Sequence, residues 1–349
     1  MRVLVWDGPR RSHVARVPDP RPGPDEVIVR TGAAGICGSE IEGYVGRQAN
    51  RTPPLVMGHE LAGEVIALGE GADRSWAGRT VAVNPVISCR TCRFCLSGAR
   101  NLCRRKGLIG IARPGGFAEM VAVPAANLVG LPDGTDVRLG AFVEPMANGV
   151  HAARLAIGGA GAAGIAGVTA AVIGAGAIGL CCAQALRLSG AGPVDVVEPD
   201  ERRRGVAARS GVTRTHRSPD SLRCVLGIGD QPRLDENSGA DVVIDAVGTA
   251  QARQLAVDAV RPHGRVVLIG MHDDESPLAF RPVVRDEVTL VGSYAYTDQD
   301  FSQAARWVAA GDAGPGELEA VHPLTEGPAL LALIASGAAG PVRAFLGRA

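Results

Sequence analysis

The chain is 349 residues long, more than one hydrophobic core usually serves, which points to two domains. Apolar residues make up 46 %, enough for packed cores and too many for a disordered chain. Lys plus Arg and Asp plus Glu each number 36, so the net charge is zero and the basic face of a nucleic-acid binder is not expected.

Residues 1 to about 130 read as short β-branched runs (VLVW, EVIVR, LAGEVIAL, RTVAVNP, FAEMVAVP) between Gly/Pro turns, the pattern of a barrel-like all-β unit. The N-terminus has charges after its first strand and no signal-peptide core, so a cytoplasmic chain is expected. Over 137–157 the periodicity turns helical, VRLGAFVEPMANGVHAARLAI. A Gly/Ala run at 158–167, whose conformation the sequence leaves open, leads into an apolar strand at 169–173. From there strand and helix alternate: AIGLCCAQALRLSG, VDVVEP, ADVVIDAVG, GRVVLIG, VTLVGSYAY. Such alternation is the mark of a parallel α/β sheet. The most apolar window, Ala170–Leu188, is broken by glycines, Gln184 and Arg187, so no membrane span is expected. The tail, 297–349, carries one helix, DFSQAARWVAAG, and a closing strand, VRAFLG.

The strongest local signal is the quartet Cys89, Cys92, Cys95 and Cys103. In a reducing compartment, gaps of two residues suit metal ligation before disulfides, and four thiolates wrap a tetrahedral Zn2+ in a closed, structural site. Buried cysteines, an iron–sulfur cluster and a nucleic-acid-binding zinc ribbon are alternatives. For the ribbon, Arg90, Arg93, Arg100, Arg104, Arg105 and Lys106 supply charge, but Phe94 is the one aromatic residue among them.

A second set of ligand types is dispersed: Cys37 in GICGSE, His59 and Glu60 in GHE, and Glu144 in VEPMANGVH. One thiolate, one imidazole and carboxylates suit a catalytic zinc with an open position, which lowers the pKa of an alcohol. Farther on, Gly174, Gly176 and Gly179 form a G-x-G-x-x-G turn between a strand and a helix. In that context the first glycine permits the tight turn, the second lets a pyrophosphate approach, and the third packs helix on strand. Glu198 ends the next strand, where a carboxylate binds ribose hydroxyls and repels a 2′-phosphate. The neighbouring Arg202, Arg203 and Arg204 pull the other way, toward NADP. Cys181, Cys182 and Cys224 read as packing residues.

GICGSE, GHE, the cysteine quartet and EPMANGVHA together resemble the zinc-dependent medium-chain dehydrogenase/reductase family, in particular its sorbitol/threonine dehydrogenase-like branch. The resemblance implies an α/β fold with a GroES-like β-barrel catalytic domain (about 1–150 and 287–349) and a doubly wound Rossmann domain (about 151–286). It implies two Zn2+ per chain: a structural one on the cysteine quartet, and a catalytic one at Cys37, His59, Glu60 and Glu144, with the two glutamates alternating as ligand. Ser39 matches the hydroxyl that starts the proton relay. Glu40 departs from the family, which usually has Asp holding the ligating His. For the cofactor, NAD with NADP as the alternative, it implies contacts from Ile178, Arg203, Leu268, Ile269, Gly270, Ser293, Tyr294 and Ala295. Tyr44, Phe117, Tyr294 and Tyr296 are candidates to line the substrate pocket. The expected reaction converts a secondary alcohol of a polyol, sugar-like or cyclitol-like molecule to its ketone. Ala295 stands where polyol dehydrogenases often carry an arginine, which argues against simple sorbitol. A homodimer or homotetramer is expected, with no nucleic-acid or membrane partner. The competing reading from another class is a non-catalytic zinc-ribbon binding protein.

Overall fold

A run such as AAVI, apolar at every position, can only be satisfied between layers, whereas EVIVRTGAAG has the mixed burial of a strand serving a one-sided core. Both kinds are present. The computed structural model describes residues 1–158, 167–229, 238–337 and 343–347 and divides into two compact units. The first unit comprises Met1–Glu144, Thr297–Gly311 and Leu318–Ala349; the second, Pro145–Tyr296 and Asp312–Glu317. Most of the run at 158–167 lies outside the described residues.

The first unit is built on a branched sheet whose hub is the strand Glu26–Gly35. Along one edge this strand pairs with Glu60–Leu68. Along the other it pairs first with Met120–Pro124 and then with Phe345–Gly347. The register with Glu60–Leu68 slips at Ile28/Val29 and Thr31/Ala33, and such bulges bend a strand. Val27, Val29, Leu61, Val65, Val81, Val83, Phe117 and Leu346 fill the core beneath it. A separate pair, Val86–Ile87 with Gly107–Leu108, forms the neck of the segment that holds the cysteine quartet.

The second unit is a six-stranded, wholly parallel sheet. Its order is Arg214–His216, Val194–Val197, Ala170–Ile173, Ala240–Asp245, Val260–Leu268, Thr289–Gly292. The chain winds outward to one side from Ala170–Ile173 and then to the other, so the switch point lies between Ala170–Ile173 and Ala240–Asp245. Ligands of such sheets bind at the carboxyl ends of the strands beside that point.

The helix Val137–Ile157 has the bounds its periodicity predicts, and the division between units falls inside it, between Glu144 and Pro145. The return to the first unit, expected at 287, comes at Thr297 instead. The reason is Thr289–Gly292, which pairs in parallel with Val260–Leu268 and so belongs to the second unit. Asp312–Glu317 also joins that unit, where the Gln184 side-chain amide exchanges hydrogen bonds of 2.8 and 2.9 Å with the backbone of Gly314. Among the described residues, no helix is long and apolar enough to cross a membrane.

Candidate active site

Antiparallel pairing of Gly35 with Glu60 brings together two short segments far apart in sequence. Cys37 follows Gly35 by two residues and begins the helix Gly38–Tyr44; His59 immediately precedes Glu60. As a result the Cys37 thiol, a His59 ring nitrogen and a Glu60 carboxylate oxygen lie within 4.8 Å of one another. Two glycines make room. A Cβ on Gly35 would collide with the Glu60 carboxylate, and Gly58, at φ +98°, leaves no space for one against the Phe117 ring at 2.6 Å.

The cluster fits a cation. Burial pushes the Cys37 thiol up, and the nearby Glu60 charge pushes it further. A divalent ion relieves both. His59 Nδ1 pairs with Glu40 Oε1, which leaves Nε2 to serve as a ligand. The other Glu40 oxygen accepts the Cys37 backbone N–H at 3.0 Å. The extra methylene of Glu40 relative to Asp therefore does not prevent the contact with histidine. Burial alone would raise the Glu40 carboxyl, but His59 and then Arg51 outweigh it and hold it below its usual range. Glu144, the last residue of the helix Val137–Ile157 that falls in the first unit, is buried at 7 % exposure but is not part of the three-residue cluster. Ser39 is half-buried on the first turn after Cys37.

Two arginines at this cluster carry no local sequence signal. Arg343 donates to Glu60 Oε2, and its guanidinium stacks over Phe142 and Phe345 at 5.2 and 5.4 Å. Arg51 donates to Ser39 Oγ at 3.3 Å. The four aromatic candidates for the substrate pocket differ in burial. Tyr44 and Phe117 are members of the barrel core and Tyr296 is 2 % exposed, so of the four only Tyr294, at 42 %, reaches the surface.

The four quartet thiols also lie within 4.8 Å of one another, with sulfur separations of 3.5 Å (Cys92–Cys95, Cys89–Cys103) and 3.8 Å (Cys89–Cys95). A Zn–S tetrahedron with bonds of about 2.3 Å has edges of about 3.8 Å, so the sulfurs already match its shape. The backbone N–H of Thr91, aided by that of Cys92, lowers the Cys89 thiol to about 5, which favours the thiolate that a metal requires.

In the second unit each glycine of the turn meets a different demand. Gly174 has φ +92°; at Gly176 a Cβ would meet nothing within 4 Å; at Gly179 it would collide with the Gly174 carbonyl. Gly176 caps the helix Ala177–Leu188, whose N-terminus therefore stands open to an anion. Half-buried Ile178 is on its first turn. Glu198 is 4 % exposed and accepts the backbone N–H groups of Ala175 (2.8 Å) and Asp200 (3.0 Å). Arg203 is exposed one turn on, and Arg204 donates to the carbonyls of Glu198 and Pro199. At neighbouring strand ends lie Leu268, Ile269 and Gly270, and then Ser293, Tyr294 and Ala295. The Ser293 hydroxyl is buried without a hydrogen-bond partner, and Ala295 holds φ +49°. Asp245, absent from the sequence expectations, ties its own strand end to the first of these. Its carboxylate accepts the N–H groups of Val247 and Gly248, and its carbonyl those of Ile269 and Gly270.

Residues 23–133 match the alcohol dehydrogenase GroES-like domain, and residues 177–310 the zinc-binding dehydrogenase domain. L-galactonate-5-dehydrogenase of Escherichia coli K12 is 34 % identical over 89 % of this chain and 88 % of its own. Galactitol 1-phosphate 5-dehydrogenase of the same strain is 32 % identical over 81 % of each chain. A zinc-binding dehydrogenase from Sinorhizobium meliloti 1021, solved bound to NADP, superposes with a TM-score of 0.88 at 31 % identity over 99 % of both chains. With both domains matched in order and relatives aligned along nearly the whole length, the chain belongs to the zinc-binding alcohol dehydrogenase family and is an oxidoreductase.

Proposed function

We propose that this chain converts a secondary alcohol on a polyol, sugar-acid or cyclitol-like molecule to the ketone, with NAD as hydride acceptor and two zinc ions per chain. The observation that carries the reading is the donor set of Cys37, His59 and Glu60, with Ser39 two residues after Cys37, in a chain that also holds an open glycine turn and Glu198 at the end of the following strand. Cys37, His59 and one of Glu60 and Glu144 hold the catalytic ion; Cys89, Cys92, Cys95 and Cys103 hold the structural one. When bound, zinc supplies Lewis acidity that makes the alcohol a stronger acid, and the nicotinamide accepts the carbinol hydride. Ser39 takes the hydroxyl proton and passes its own outward. Glu40 keeps His59 in one tautomer and orientation, and Arg343 balances the charge of Glu60.

The substrate class is supported by the two relatives above, which are named as 5-dehydrogenases of a sugar acid and of a sugar-alcohol phosphate. Preference for NAD rests on Glu198. Its position is fixed by two backbone N–H groups, and each carboxylate oxygen keeps a lone pair for a ribose hydroxyl. The NADP bound to the Sinorhizobium neighbour supports a second reading, in which exposed Arg203 receives a 2′-phosphate. One turnover screen separates these readings. Polyols, sugar acids, sugar phosphates, cyclitols, threonine and simple alcohols are each offered NAD and NADP at mildly alkaline pH. A polyhydroxylated secondary alcohol with NAD should give the highest kcat/KM. Fastest turnover of ethanol would remove the substrate class, and a higher kcat/KM with NADP would transfer the cofactor role to Arg203.

A further inference from the structure

Arg51 is a long cation whose side chain is completely buried beside the proposed catalytic residues. Burying a guanidinium is costly unless its N–H groups and its charge are both satisfied. Here they are. Nε donates to Gln48 Oε1 at 3.0 Å, Nη1 to the Gly110 carbonyl at 3.1 Å and Nη2 to Ser39 Oγ at 3.3 Å. Nη2 is also 3.8 Å from Glu40 Oε1, the oxygen that faces His59. The path of the side chain is reserved for it, because a Cβ on Gly43 would stand 2.6 Å from Arg51 Nε.

We propose that Arg51 is a positioning residue for the oxidation, acting through Ser39 and Glu40; this rests on the dehydrogenase reading of the site. Two physical consequences define the role. A guanidinium donates and cannot accept, so its hydrogen bond fills one lone pair of Ser39 Oγ and turns the serine O–H away from Arg51. Ser39 is thereby held with a free lone pair for the alcohol's proton, and the proton it releases cannot leave through Arg51. The second consequence concerns charge. Glu40 is 0 % exposed, and a His59 that ligates through Nε2 is neutral, so the side chain that balances the Glu40 carboxylate is Arg51.

The test compares Arg51→Met and Arg51→Lys with wild type, and uses Gln48→Ala as the control that loosens only the outer end of the clamp. Steady-state constants are measured on the best alcohol from the screen. Zinc release to a chelator is followed separately, without substrate or cofactor. Arg51→Met should lower kcat roughly 10- to 100-fold while KM for NAD stays within about twofold, the size expected when the support behind a ligand is removed. One zinc should leave at least about tenfold faster and the other at the wild-type rate. Arg51→Lys keeps the charge but not the fork, and should recover zinc retention more than kcat. Gln48→Ala should resemble wild type in both readouts. Wild-type kcat and zinc retention in Arg51→Met would overturn the proposal. So would a Gln48→Ala variant as impaired as Arg51→Met, because the residue would then only anchor its loop. If Arg51→Met does not fold, Arg51→Lys decides: unchanged kcat and unchanged zinc release refute the role. A wild-type chain inactive on every alcohol would instead refute the dehydrogenase reading itself.

Discussion

Gly174, Gly176 and Gly179 look alike in sequence but answer to three different constraints, and the differences can be separated by substitution. Gly176 has an ordinary φ of −65° and open space where a side chain would go, so a methyl should cost the folded protein no more than about 1 kcal/mol as a helix cap. That space is where the pyrophosphate must approach, so Gly176→Ala should weaken NAD binding about tenfold or more, a loss of roughly 1.4 kcal/mol or more. Gly179→Ala puts its methyl into the Gly174 carbonyl and should cost about 1–3 kcal/mol of stability even without cofactor. Calorimetric titration with NAD and urea unfolding of both variants read the two effects independently. A Gly176→Ala variant that binds NAD normally would show that the cofactor does not use this turn. Residues of this kind were legible in the sequence because their roles depend on near neighbours along the chain. Arg51, Arg343 and Asp245 were not, because the partners that give each its place (Gly110, Glu60, and Ile269 with Gly270) arrive through folding. The packing of Tyr44 and Phe117 into the barrel core was hidden for the same reason. Whether an aromatic ring faces a pocket or a core is decided by how the sheet curls, which no local pattern records.

Between residues and units stand elements such as the cysteine segment, which has little apolar core of its own and exposes Leu96 at 76 %. Its order must come from its neck, its metal and its ties to the rest of the unit. The neck is the two-residue ladder of Val86–Ile87 with Gly107–Leu108. Arg100 adds hydrogen bonds to Ser88 Oγ at 2.7 Å and to the Val86 carbonyl at 3.3 Å, together with an ion pair to Asp298 at the start of the helix Asp298–Ala310. Few contacts mean that metal ligation contributes folding free energy here, which need not hold for Cys37, set in a packed barrel. Cys92→Ala should therefore lose one zinc equivalent and about 2–3 kcal/mol, a fall in Tm of roughly 5–10 °C. Cys37→Ala should lose the other zinc and all turnover, with Tm nearly unchanged. Metal analysis and thermal scans check both; a Cys37→Ala variant that retains two zincs and full activity would break the catalytic assignment. The spacing of the quartet was readable because a tetrahedral site needs close cysteines, and the long helix was readable because its apolar period runs unbroken to Ile157. The end of the second unit was misplaced because VTLVGSYAY is equally plausible as the last strand of one unit or the first of the next. Pairing with Val260–Leu268, a tertiary event, decides it.

At the scale of the whole molecule, that same strand supports a proposal about assembly. Thr289–Gly292 is the outermost strand of the parallel sheet, paired on one side with Val260–Leu268 and carrying two exposed and two half-buried residues. An edge strand with apolar side chains and no charge offers unpaired backbone groups to another strand, and proteins that stay monomeric usually guard such edges with Lys, Pro or a covering element. Leu290 and Val291 give this edge no such guard. The same unit exposes Phe280 at 61 % and Val284 at 75 %, four residues apart on the helix Phe280–Arg285. Closed two-fold symmetry satisfies a self-complementary edge without leaving another one open, so a homodimer, or a tetramer made of such dimers, is the assembly that fits. Light scattering at micromolar concentration should give at least twice the chain mass of 35.8 kDa. Val291→Lys places a charge on the edge and should shift the equilibrium toward single chains, while the zinc content of each chain stays unchanged. A wild-type mass of one chain at that concentration would rule out the assembly; an unchanged oligomer in Val291→Lys would move the interface away from this strand.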